Sequence, residues 1–156
     1  MEEEFHNHMR IPWHDYTRKS IGRPITEASL SEKASIIGRT GIMLLSCGTG
    51  AWRVRSSMNT LARELGITCT ADIGLLSIEY TCIDGGNCYT ESLCLFNTGV
   101  NTSKLYRMEL FVNKFSKNCK KMSGDELHTL LDQIHEIHGF YSPPFLGLAA
   151  AVACSA

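Results

Sequence analysis

Apolar and small residues recur at helical intervals from residue 30 onward. Leu30, Ala34, Ile37, Gly41, Leu44 and Leu45 fall on one stripe, as on a helix with one covered face. Ser29 and Glu32 precede it at capping-box spacing, in which hydroxyl and carboxylate satisfy each other's exposed backbone donors. A helix over about residues 30 to 47 is predicted. It stops at Cys47-Gly48-Thr49-Gly50. Gly48 and Gly50 are the turn-forming residues, since glycine reaches backbone angles closed to other residues. A second helix begins near Ala51, with Thr49 or Gly50 as N-cap. Val54, Met58, Leu61, Ala62 and Leu65 make its buried face, and Gly66 stands where a C-terminal glycine cap belongs. Two helices joined by a tight glycine turn form an αα-hairpin.

The period then changes. Residues 67–72, 75–83 and 89–96 are short segments rich in β-branched and aromatic residues, broken by Gly74 and by Asp84-Gly85-Gly86-Asn87. Leu76, Ile78, Tyr80 and Cys82 alternate with Ser77, Glu79 and Thr81, the pattern of a strand with one face covered. Asp-Gly-Gly-Asn suits a hairpin, because Gly and Asn accept positive φ at low cost. A small antiparallel three-stranded sheet follows. Helical spacing returns at Leu105, Met108, Phe111, Val112 and Phe115, entered through Asn101, Thr102 or Ser103 as cap. Ser123 and Glu126 repeat the capping-box spacing ahead of Leu127, Leu130, Leu131, Ile134 and Ile137, a last helix running to Gly139. The order αα-βββ-αα, with helices segregated from a contiguous run of strands, predicts an α+β fold.

Three regions divide the chain: residues 1–28, a mostly irregular arm with an aromatic anchor at Trp13 or Tyr16; residues 29–139, the α+β domain; and residues 140–156, a linker and an apolar helix start. The last twelve residues, FLGLAAAVACSA, carry no charge. A spanning helix needs roughly 20 apolar residues, so this run is too short to cross a bilayer and is either a terminal core helix or, as the residues upstream lead one to expect, the truncated front of a transmembrane helix. The 156 residues suit a single domain with a substantial core. A net charge of -1 gives no field to gather nucleic acid, which is set aside as a partner. The acidic start MEEEFHNHMR, with no apolar stretch after it, does not read as a signal peptide. The seven cysteines are accordingly expected to be reduced.

Candidate chemistry is sparse. Arg53 sits in the first turn of a helix, against the helix dipole, and so needs a partner elsewhere. Asp72, at a strand end beside Gly74, is suited to turn chemistry or to pairing with Arg53. Asn101 follows Gly99 and suits a helix cap. These three are the candidate substrate- or effector-binding residues. His128, His135 and His138 lie within about 80° on a helical wheel, with His6, His8 and His14 in the arm. Yet His128 and His135 are two turns apart, too far for one ion. Cys82, Cys88 and Cys94 have hairpin spacing rather than that of a zinc knuckle. No nucleophile elbow, catalytic triad or P-loop is present. No metal, cofactor or catalytic residue is assigned.

The block LLSCGTGAWRVRSSMNTLARELGI resembles the signature of the threonine/serine exporter family: a helix, a glycine-containing turn, an aromatic-Arg-Val triplet and an apolar helix ending in Leu-Gly. TADIGLLSIEY, LFNTGVNTSKLYRMELFVNKF and YSPPFLGLAAAVACSA resemble, in order, the family's first strands, its Gly-x-Asn followed by a Leu-rich helix, and its entry into the first membrane helix. The similarity covers roughly residues 29 to 156. Many members carry carboxylates where this chain has Gly50 and Arg55. The resemblance implies a cytoplasmic N-terminal domain of a threonine/serine exporter-like transporter at the cell membrane, not transport-competent alone. It also implies partnership with the membrane through further helices, and with a second transporter subunit or further copies of the chain. The alternative is a soluble interaction or regulatory module, or a cytosolic hydrolase-like enzyme.

Overall fold

The structure is a computed structural model that describes residues 11–96 and 98–137. Its centre is helix α1, Leu30–Ser46, buried continuously from Glu32 to Leu45. The sequence stripe marked one covered face, but α1 is covered on every side. Helix α2, Ala51–Glu64, packs on one flank, and the sheet packs on another. The sheet is a meander of β1, Thr68–Ile73, β2, Ser77–Asp84, and β3, Asn87–Cys94, antiparallel in that order. Helices α3, Thr102–Lys114, and α4, Gly124–His135, close the remaining side, joined by a π-helical turn at Phe115–Cys119. The fold is α+β, as predicted.

Local chemistry explains most boundaries. Gly50 is the N-cap of α2, and all five residues assigned to its buried face are buried. At its other end Gly66 adopts φ 73°, with its N–H donating to Arg63 O and Ile67 N–H donating to Ala62 O, the Schellman pair that satisfies terminal carbonyls. The hairpin closes on Gly85-Gly86, with Asp84 opposite Asn87 and Gly85 at φ 60°. Pairing therefore extends two residues ahead of the predicted start of β3, because the turn needs only its two glycines. Ile78, Tyr80, Cys82 and Leu93 present one buried face to α1. Asn101 caps α3 by accepting from Lys104 N–H at 3.0 Å, and Ser123 and Glu126 complete a full capping box on α4.

Two expectations are corrected. The reciprocal half of the first capping box does not form. Ser29 Oγ accepts from Glu32 N–H, but the Glu32 carboxylate turns to the Ser20 hydroxyl. Glu32 is only 4% exposed, and a buried carboxylate requires a donor. Ser20 belongs to the segment read as an irregular arm. Of that arm, Trp13–Ser20 forms a 3-10 helix and Ile25–Glu27 a further 3-10 turn, with Trp13, Thr17, Ser20, Ile25 and Ala28 buried. Of the inward residues of the first 3-10 helix, Trp13, Thr17 and Ser20, two are polar, so no sustained apolar period marks them. Both proposed anchors engage: Trp13 is buried, and the Tyr16 hydroxyl donates to Glu91 at 2.8 Å. Residues 1–10 and the apolar segment 140–156 lie outside the described residues. Among the described residues no helix is long and apolar enough to cross a membrane.

Close approach to α1 depends on two of its glycines. The Tyr80 hydroxyl lies across the helix and donates to Ala34 O at 2.9 Å, in the space that a Cβ on Gly38 would occupy. A Cβ on Gly41 would lie 2.6 Å from the Met58 sulfur. Gly38→Ala gains helix propensity of up to about 1 kcal/mol but displaces Tyr80 from its hydrogen bond at an overpacking cost of about 1–3 kcal/mol. Urea unfolding is expected to show a lowered midpoint for Gly38→Ala. An unchanged or raised midpoint contradicts the packing described.

Candidate functional site

The turn Cys47–Gly50 forms one end of the body. Gly48 takes φ 82°, and a Cβ there would sit 3.2 Å from Gly99 O. Gly99 N–H donates back to Ser46 O at 3.3 Å. The loop after β3 is therefore laid directly on the turn, with a positive-φ residue that cannot carry a side chain cheaply. A hollow of about 400 Å³ opens here, lined by the turn, by the β1–β2 loop at Ile73-Gly74-Leu75 and by Thr98.

The three candidate binding residues surround this end without joining one another. Arg53 does find a partner elsewhere, but it is Glu109 of α3, at 3.1 Å, rather than Asp72. The α3 helix runs beside the start of α2, and this brings Glu109 to the guanidinium, which also lies 5.5 Å from the centre of the Trp52 ring. Asp72 is exposed on β1, opposite Glu79 of β2. Asn101 uses both ends of its amide: the oxygen caps α3, and Nδ2 donates to Ile137 O at 3.1 Å, tying the exit of α4 to the start of α3. Arg53 and Asn101 thus hold elements together.

A second polar constellation escaped the sequence reading. Arg39, in the middle of α1, is only 5% exposed. Its Nη2 pairs with Asp132 of α4, and its Nη1 donates to His128 O at 3.1 Å and to His128 Nδ1 at 3.2 Å. Guanidinium has no acceptor, so Nδ1 must accept and Nε2 must carry the proton. That proton points to Ser35 Oγ, 2.9 Å away, whose own hydrogen goes to Glu32 O at 2.7 Å. The chain of donors closes only around a neutral His128. Burial, reinforced by the charge of Arg39, lowers its pKa to about 3. The indole of Trp13 stacks on the same imidazole at 5.9 Å and lies 5.8 Å from the guanidinium. A cavity of about 280 Å³ opens beside the group, lined in part by Trp13, Arg39, Ile42, Asp132 and His135.

His14 is the opposite case. Its Nδ1 meets Asp125 and its Nε2 meets Asp132, both at 2.7 Å. Two carboxylates on two ring nitrogens favour the imidazolium, and these hydrogen bonds raise its pKa above 6.5. Asp132, which burial alone would push up, is held below the usual range by His14 and Arg39. The chemistry is that of a charge clamp. Ser35 and His128 resemble a nucleophile and base, yet both are fully buried and spend their donors on the network. Both nitrogens of His128 are thereby engaged, while His135 faces outward. The signal was a lone arginine inside an apolar run.

The two histidines give opposed pH dependences. The His14 contribution is fully present below its unfolded value near 6.5 and is lost as pH rises through its higher folded value. The unfolded chain protonates His128 near 6.5 while the folded chain keeps it neutral to about 3, which withdraws about 2 kcal/mol of stability by pH 5. Proton NMR titration is expected to show His14 titrating above 6.5 and His128 silent until near 3. A His128 titrating near 6.5 contradicts the network.

Among comparisons with known proteins, no curated protein and no solved structure matches the chain. A family model does: that of the threonine/serine exporters (ThrE), over residues 35–156. The match begins inside α1, includes the glycine turn, the sheet, α3 and α4, and covers well over half of the sequence. This chain belongs to the threonine/serine exporter family, a family of transporters rather than of enzymes.

Proposed function

We propose that the α+β body is the cytoplasmic domain of a threonine/serine exporter-like membrane transporter moving small amino acids or similar metabolites outward. The observation that carries this reading is the extent of the family match, whose bounds, residues 35–156, take in both the body and the uncharged run 145–156. The body does not transport alone. Secondary transporters bind substrate near the bilayer midplane between membrane helices, and the described residues contain no helix able to cross. Its partners are those membrane helices and, in the assembled carrier, a second subunit or further copies of the chain. On the cytoplasmic side the thiols of Cys69 and Cys82, neighbours across β1 and β2, and the exposed thiols of Cys88 and Cys94 would stay reduced.

The exposed thiols supply the test. Cells producing the chain are treated with a membrane-impermeant maleimide before or after permeabilisation, with the Cys88→Ser, Cys94→Ser double variant as control. Produced together with the carrier's membrane helices, the chain is expected in the membrane fraction, with Cys88 and Cys94 labelled only after permeabilisation. Labelling in intact cells, or recovery wholly in the soluble fraction, contradicts the proposal.

A further inference from the structure

The end of the body built on the glycine turn carries large apolar side chains in water. Trp52 is 69% exposed, Leu75 86% and Val100 70%. They come from three separate elements: the first turn of α2, the β1–β2 loop and the loop before α3. All border the same turn. The Trp52 ring lies 3.6 Å from where a Gly50 Cβ would stand, a Val100 methyl lies 3.7 Å from the equivalent point on Gly48, and Leu75 lines the hollow that Gly48 and Gly50 open into. Arg53 and Arg55 are exposed on the same stretch of α2. Clustered apolar residues with a polar rim mark an interaction surface. A tryptophan beside arginines suits the boundary of headgroups and acyl chains, where amphipathic side chains collect.

The path of the chain indicates the occupant. The described chain leaves the body at Ile137, whose carbonyl is held by Asn101, one residue past Val100. Seven residues, 138–144, separate that point from the uncharged run 145–156, and the eight steps from residue 137 to residue 145 reach at most about 29 Å. The start of the apolar run can lie no farther than that from Ile137, which Asn101 holds beside the apolar end. We propose that this end rests on a lipid bilayer, with Trp52 and Leu75 at the headgroup boundary. The inference rests on the membrane reading above and adds which face of the body meets the membrane.

The full chain is mixed with phosphatidylcholine vesicles whose acyl chains are brominated, and both flotation with the vesicles and tryptophan emission are measured. The chain has two tryptophans, and Trp13 is buried, so Trp52→Phe removes the exposed reporter at a surface position without touching the core. The expected result is flotation with loss of emission and a shift to shorter wavelength, both absent in Trp52→Phe although that variant still floats. Flotation without loss of Trp52 emission overturns the proposal while leaving the membrane reading intact, and means that protein or solvent covers this end. Absence of flotation overturns both.

Discussion

Burying one helix on every side forces its polar residues to be neutralised from outside, and the rest of this body is arranged accordingly. α1 is that helix, and Arg39 is its most demanding member: a permanent charge, 5% exposed, in the middle of a buried run. Such a charge is tolerated only with paired and hydrogen-bonded partners. α4 supplies Asp132 and His128, and the N-terminal 3-10 helix supplies Trp13. His14 then bridges Asp125 and Asp132, so the N-terminal segment and α4 are fastened to one guanidinium and to each other. On the opposite flank the constraint is steric. Gly38 and Gly41 let Tyr80 and Met58 approach the α1 backbone, which brings the sheet and α2 against it.

This arrangement separates a committed polar frame from an exposed apolar end. The charge clamp is partly covered and its donors are committed, so it contributes architecture. The glycine turn lies at the other extreme: its neighbours Trp52, Leu75 and Val100 are exposed, and the polar residues around it serve to hold loops in place. Arg53 fixes α2 to α3, and Asn101 fixes the start of α3 to the chain leaving α4.

Much of the frame was legible because it is written in local chemistry. Ser123 and Glu126 form the box their spacing announces, Gly66 ends α2 through a Schellman pair, and the face of α2 is buried residue for residue. The family was legible through the glycine turn and its aromatic-Arg-Val triplet. What stayed hidden is tertiary. Glu32 abandons its own helix N-terminus for Ser20, twelve positions earlier, and no local spacing records that choice. Arg39 and His128 stand 89 positions apart, so the clamp has no motif. The 3-10 helix escaped because its buried side includes Thr17 and Ser20, polar residues whose covering neighbours come from elsewhere. Arg53 was correctly read as needing a partner, but Glu109 became available only once α3 packed beside α2.

The most direct measurement is a double-mutant cycle on Arg39 and Asp132, read by equilibrium unfolding with Arg39→Met, Asp132→Asn and the pair combined. If the buried guanidinium is neutralised by α4, Asp132→Asn costs far more when Arg39 is present than when methionine fills its place, with a coupling of about 1–3 kcal/mol. Equal costs in the two backgrounds would mean that the charge at the centre of α1 is carried some other way, and the account built on it would not stand.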